Sequence, residues 1–146
     1  MKKSFYSILL LFLCGLPIAA QEWQTDFDTA KEIASKENRQ IILVFQGSDW
    51  CAPCIKLDRE VFSTETFQHY AKNHFVMLQA DFPKKKKNAL PQDQQLKNNN
   101  LAEKYNQRGI FPLVVMLDQD GNVLGETGYI KADASTYISH LESLKG

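Results

Sequence analysis

The sequence predicts an α/β domain in which a central mixed β-sheet is flanked by helices. Three features point that way. Two apolar runs, Ile41-Ile42-Leu43-Val44-Phe45 and Phe75-Val76-Met77-Leu78-Gln79-Ala80, have the continuous hydrophobicity of strands buried on both faces. Segments with apolar residues at helical spacing lie before, between and after them. A third apolar run at 113–117 leads through a turn into a return strand, so helices alternating with strands end in an antiparallel hairpin. A chain of 146 residues suffices for one domain with a sizeable core, and it contains no internal repeat.

Residues 1–20 are of a different kind. Lys2 and Lys3 give a basic start, 7–16 is mostly apolar, and Pro17-Ile18-Ala19-Ala20 ends in small residues. That is the layout of a secretory signal peptide cleaved after Ala20, leaving a domain of 21–146, with an uncleaved membrane anchor as the alternative. Cys14 follows Leu13 where a lipoprotein signal wants a small residue, so it reads as part of the discarded leader, with lipidation the lesser alternative. Removing the leader drops two of the 17 basic residues and leaves 15 against 17 acids, a formal charge of −2. Net charge therefore points to neither a nucleic-acid nor a membrane-surface partner. With a leader this short, and no retention signal in Ser143-Leu144-Lys145-Gly146, the expected compartment is a bacterial periplasm.

A helix is expected over 23–38, capped by Thr25 or Asp26, with Phe27, Ala30, Ile33 and Ala34 on one face. The strand at 41–45 follows, then a helix from about 51 to 62. Ser63 is expected to cap a further helix over 64–73 whose Phe67, Tyr70 and Ala71 turn inward, and a second strand runs from 75 to Asp81. Residues 82–100 form an insertion carrying Lys84-Lys85-Lys86-Lys87, Pro83, Pro91 and many Asn and Gln. Like charges repel, so the run reads as solvated surface, or alternatively as a docking patch for an acidic protein. No aromatic residues interleave with the lysines, which argues against nucleic acid. A helix resumes near Gln92 and runs to Asn106, with Leu96, Leu101, Ala102 and Tyr105 on its apolar side. The strand at 113–117, a turn at Asp118-Gln119-Asp120-Gly121-Asn122 with positive φ at Gly121, and a strand at 123–127 complete the sheet. Asp133 caps a last helix bearing Ala134, Tyr137, Ile138, Leu141 and Leu144.

The chemistry lies in Trp50-Cys51-Ala52-Pro53-Cys54, between a strand and a helix. Residues three apart share a helix face, so two thiols there can close and reopen a small disulfide ring. The first sits at a helix N-terminus, where unpaired N–H groups favour a thiolate, the nucleophilic form. Pro53 suits the first turn, which needs no N–H. Cys51 is expected to be the exposed member and Cys54 the more buried.

The string Gly47-Ser48-Asp49-Trp50-Cys51-Ala52-Pro53-Cys54-Ile55-Lys56-Leu57 resembles the active site of the thioredoxin superfamily, and of exported bacterial thioredoxin-like proteins in particular. The resemblance spans most of the chain after residue 21. It implies a thioredoxin fold and a thiol-disulfide oxidoreductase in which Cys51 attacks and Cys54 resolves. It also implies a cis-proline at Pro112, opposite the cysteines, and substrate contacts from Trp50, Ala52, Pro53, Phe111 and Pro112. No cofactor or metal is required. The substrates would be protein thiols and disulfides. Ala52-Pro53 puts no histidine between the cysteines, unlike many oxidants and isomerases of the superfamily, so a reductant fed by a membrane-bound electron donor is expected. The alternatives are a disulfide oxidant or isomerase, and a redox-inactive binding module or chaperone.

Three departures stand out. Phe45 occupies the place, six residues before the first cysteine, where many thioredoxins carry a buried carboxylate; Asp49 and Glu60 are the nearby acids that could substitute. Arg108-Gly109-Ile110-Phe111-Pro112-Leu113 has one residue more than the usual Arg-Gly-x-Pro-Thr and no threonine. The lysine-rich insertion is absent from a minimal thioredoxin. Lys56 and Arg59 could favour a Cys51 thiolate, or simply lie on a solvated helix face. As rivals, Cys51 and Cys54 with His69 and His74 come close to zinc-finger spacing, although large apolar residues fill the interval. Haem attachment fails because Ile55 stands where histidine is required.

Overall fold

The computed structural model describes residues 21–146; the expected leader at 1–20, with Cys14, lies outside the described residues. Its elements are β1 (Trp23–Gln24), α1 (Phe27–Glu37), β2 (Gln40–Gln46), α2 (Ala52–Leu57) running on into a π-helical turn (Asp58–Phe62), α3 (Glu65–His74), β3 (Phe75–Asp81), a 3-10 turn (Lys86–Asn88), α4 (Gln92–Tyr105), β4 (Leu113–Leu117), β5 (Val123–Thr127) and α5 (Ala134–Ser143). The strands lie in the order β1-β3-β2-β4-β5. β1, β3 and β2 are parallel, while β4 runs antiparallel to β2 and β5 antiparallel to β4. This is the mixed, helix-flanked thioredoxin fold that the resemblance implies.

Period-two alternation divides β2 between two cores. Ile41, Leu43 and Phe45 face Ala30 and Ala34 of α1 and Leu101 and Tyr105 of α4. Ile42 and Val44 face Leu57, Val61, Phe62, Phe67 and the α5 residues Tyr137, Ile138 and Leu141. Every residue from Ile41 to Phe45 is buried, which accounts for the unbroken apolar run.

The structure corrects the sequence reading in four places. Trp23 is not helical. The Asp26 carboxylate accepts the Thr29 N–H and starts α1 only there, leaving Trp23 and Gln24 to pair with Met77 and Leu78 on the open edge of β3. The sheet therefore has five strands rather than four. Thr64, not Ser63, caps α3, with its hydroxyl accepting the Phe67 N–H. Leu96 is exposed, and Asn98 takes the buried position on α4. Leu113–Leu117, the Gly121 turn at φ 87° and the Asp133 cap agree with expectation.

Asn98 ties the insertion to the sheet. Its amide donates to the Asp81 carbonyl at 2.8 Å and its oxygen accepts from Gln94 Nε2 at 2.9 Å. A buried amide removed from such a pair leaves a carbonyl unsatisfied, at a cost of about 1–3 kcal/mol. Asn98→Ala is expected to lower the unfolding free energy by that amount in urea titrations, whereas the exposed Leu96→Ala should change it little.

Candidate functional site

β2 ends at Gln46, and the chain turns tightly before entering α2. Trp50 and Cys51 both donate their N–H to the Gly47 carbonyl, at 3.2 and 2.9 Å. A Cβ at Gly47 would overlap the Trp50 indole, so only glycine lets the ring fold back over the turn. Cys51 is the N-cap of α2 with extended backbone (φ −87°, ψ 98°), and its Sγ accepts the Cys54 N–H at 3.3 Å. Cys51 and Cys54 form a disulfide (S–S 2.08 Å, Cα–Cα 5.2 Å). Cys51 is not the more exposed of the two in this oxidised form: it is 3 % accessible and Cys54 4 %. Ala52 and Pro53 lie exposed at the helix tip beside the disulfide.

Aromatic rings form one wall. Trp50 meets Phe111 edge-on at 5.5 Å between centroids, and Phe111 meets Phe82 in the same way at 5.5 Å. Trp50 Nε1 donates to the Phe82 carbonyl at 2.8 Å. The Phe111–Pro112 peptide is cis, as the resemblance implied, and starts β4, the strand next to β2. Among the described residues neither the N–H nor the C=O of Phe111 has a hydrogen-bond partner. Gly109 in this loop has φ 62°, the left-handed region that favours glycine. Asn106, a residue the sequence reading overlooked, closes the loop: its side chain accepts the Ile110 N–H at 2.9 Å and donates to the Ile110 carbonyl at 2.8 Å.

Neither acid expected beside Cys54 is free for that task. Glu60 accepts from the Tyr129 hydroxyl at 2.8 Å, the chief reason its pKa is lowered, and pairs with Arg59. Lys56 lies over the Tyr129 ring at 5.7 Å, so both basic residues of this helix are drawn toward the Glu60–Tyr129 pair. Asp49 accepts the N–H groups of Lys84 and Lys85 and the Asn88 amide, each at 2.9 Å. It thereby clamps the lysine insertion onto the site. Asp81, which the sequence marked only as a strand end, takes the Ser48 N–H and hydroxyl at 2.9 and 2.6 Å and holds the other side of the same turn. Cys54 instead borders a pocket of about 310 Å³ lined by Trp23, Gln46, Ser48, Ile55, Asp58 and Gln79. Asp58, one helical turn beyond Cys54, accepts from the Ser63 hydroxyl at 3.1 Å.

His74 Nδ1 lies 2.8 Å from the Tyr70 carbonyl and its ring stacks on Tyr70, while both cysteines are joined to each other. Among the described residues no group of three or more His, Cys, Asp or Glu could hold a metal ion. Nor is any described helix long and apolar enough to cross a membrane.

A family model described as a thioredoxin-like domain matches residues 27–142. The disulfide bond reductase DsbH of Chlamydia pneumoniae is 35% identical over 129 residues, spanning 87% of this chain and 75% of that protein. A solved DsbH oxidoreductase structure superposes with a TM-score of 0.80 at 29% identity, covering 99% of this chain and 94% of that one. A thioredoxin from Thermus thermophilus shares the fold, with a TM-score of 0.62 at 15% identity over 86% of this chain and 88% of its own.

The Lys84 N–H above all, then the Asn88 amide and the Lys85 N–H, hold the Asp49 carboxyl down at about 2 against an ordinary 3.8. A depressed carboxyl stabilises the folded form fully above its unfolded pKa and loses that contribution as pH falls through the folded one. The clamp should therefore be complete above about pH 4 and released only toward pH 2, with a carboxyl NMR titration of Asp49 centred near 2. Asp49→Ala should speed tryptic cleavage after Lys84 to Lys87 several-fold at neutral pH, while unchanged cleavage would show that the clamp does not restrain the segment.

Proposed function

The chain belongs to the thioredoxin-like domain family, and from that premise we propose that it works as a reductase of protein disulfides outside the cytoplasm. It is a thiol-disulfide oxidoreductase. The observation that carries the reading is the Cys51–Cys54 disulfide at a strand-to-helix junction, with the Cys54 N–H directed at Cys51 Sγ.

That N–H distinguishes the two sulfurs. Hydrogen bonds to the charged form favour it, so a thiolate at Cys51 is stabilised where one at Cys54, inside the helix, is not. In the dithiol form the Cys51 thiolate attacks one sulfur of a substrate disulfide. The substrate S–S bond breaks, a mixed disulfide forms, and the departing substrate thiolate takes a proton from water. Cys54 then loses its proton toward the pocket behind it, where Asp58 is the carboxylate on the wall. Its sulfur attacks Cys51 Sγ and expels the second substrate thiolate. Two electrons have passed to the substrate, and the enzyme is left as the disulfide described above. The Phe111 N–H and C=O, without partners among the described residues, suit an extended peptide paired with the loop that precedes β4, with Trp50, Ala52, Pro53 and Pro112 completing its seat.

Three considerations support the direction and the place. The related Chlamydia protein is named a reductase. No histidine lies between the cysteines. Residues 1–20 have the layout of a cleaved leader for export, leaving 21–146 as one domain. A reductant in an exported compartment must be recharged, so the disulfide is returned to the dithiol by a membrane-bound donor of electrons.

Cys54→Ala is expected to trap a mixed disulfide with substrate that gel electrophoresis without reductant detects, and Cys51→Ala to abolish both the adduct and turnover. The Cys51–Cys54 couple, equilibrated in graded thiol buffers, should have a potential near the thioredoxin value of about −270 mV. A value near about −120 mV would reverse the direction and make the protein a donor of disulfides.

A further inference from the structure

The lysine insertion is part of the site's surface. After β3 the chain passes under Trp50 through the Phe82 carbonyl, and Asp49 then fastens the backbone at Lys84 and Lys85 and the side chain of Asn88. Lys84 Nζ lies 3.7 Å from the centroid of the Trp50 ring, the residue preceding Cys51. The next three lysines follow at once, the last two in the 3-10 turn Lys86–Asn88. All four are exposed. Lys31, Lys97 and Lys145 are each paired with a carboxylate, but among the described residues no ion pair involves Lys84, Lys85, Lys86 or Lys87. Asp49, the acid that touches the segment, has its oxygens on backbone N–H and amide groups.

The charge distribution of the whole domain sharpens this. Outside the run, residues 21–146 carry 11 basic against 17 acidic side chains, a formal charge of −6. Four lysines outside any ion pair are thus gathered in the segment that Lys84 joins to Trp50, with Asp49 the one carboxylate fastened to it, on a chain that is otherwise acidic. Next to them is an apolar platform in which Trp50 and Ile110 are each 38 % accessible and Phe111 is half-buried. Lysines supply compact charges on flexible stems, which suits variable acidic sequences better than one fixed bidentate partner.

We propose that Lys84 to Lys87 form a basic rim that selects protein substrates whose disulfide cysteine is flanked by acidic residues, with the cysteine over Cys51 and the neighbouring Asp or Glu side chains against the lysines. The inference rests on the oxidoreductase reading above. The chemistry is unchanged: the enzyme dithiol is oxidised, the substrate disulfide is reduced, and only the rate of encounter and docking depends on charge.

The test is single-turnover reduction, with the dithiol protein mixed with either of two peptide disulfides that differ only in carrying three Glu or three Lys beside the cysteine. Peptide thiol release is followed by chromatography without added reductant. At low ionic strength the acidic peptide should react about tenfold faster. The ratio should fall toward one at about 1 M salt, where the screening length is about 3 Å. Lys85→Gln, Lys86→Gln and Lys87→Gln together should bring it to about twofold or less; because it is a ratio on one preparation, a general loss of activity cancels. Equal rates for the two peptides, or a preference the triple variant keeps, would overturn the proposal alone. Failure to reduce either peptide would overturn the oxidoreductase reading and this inference with it. Binding to anionic lipid vesicles that the triple variant abolishes, without any peptide preference, would reassign the rim to a membrane surface.

Discussion

The structure depends on β2 being paired on both edges and buried on both faces. β3 runs parallel along one edge from Gln40 opposite Phe75 to Gln46 opposite Asp81, and β4 runs antiparallel along the other from Ile41 opposite Leu117 to Phe45 opposite Leu113. A strand held this way cannot slip by one residue without sending Ile42 and Val44 into the core of α1 and α4 and Ile41, Leu43 and Phe45 into the other. Register and site position are therefore one constraint. The last residue of β2 fixes where the Gly47 turn starts, and the Gly47 carbonyl fixes where Cys51 caps α2.

Around that junction the chain uses carboxylates and amides as fasteners. Asp81 holds Ser48, Asp49 holds Lys84, Lys85 and Asn88, Asn98 holds the Asp81 carbonyl, and Asn106 holds Ile110. Each joins the cysteine turn, the insertion or the cis-proline loop to a neighbouring element. A rigid surround suits this chemistry, because a thiolate must meet a substrate sulfur in line while its partner thiol waits one helical turn away. Cys54 is served differently. Phe45 fills with hydrocarbon the place of a buried carboxylate, and the polar pocket that Cys54 borders lies on the side of Gln46, Gln79 and Asp58.

Much was legible in the sequence, and for identifiable reasons. Short continuous apolar runs rich in β-branched residues fit strands buried on two faces, and β2, β3 and β4 lie within a residue or two of that expectation. Asp133 and Gly121 act through neighbours in the chain, and local geometry suffices to place them. The Cys-x-x-Cys pair and the cis bond before Pro112 came from a motif and a resemblance with a fixed spacing. By contrast, β1 has only two residues, and its reason for being a strand is the free edge of β3, more than fifty residues away. Leu96 and Asn98 exchanged expected burial because the Asp81 carbonyl, a partner outside the helix, needed a donor.

The sequence by itself determined the sheet's central strands and the Cys-x-x-Cys pair, since each follows from periodicity or short-range spacing, while the expected substrate contacts follow from the family resemblance. Only the tertiary structure decided what the charged residues do. In the sequence Asp49 and Glu60 are candidate substitutes for a buried carboxylate, Asp58 carries no expectation, and the lysine run reads as solvated surface or a docking patch. Folding spent the first on the insertion and the second on Tyr129, set the third beside the pocket of Cys54, and brought the fourth to the edge of Trp50. Charge acts through space over several ångströms, so its role is set by neighbours that the linear order does not reveal.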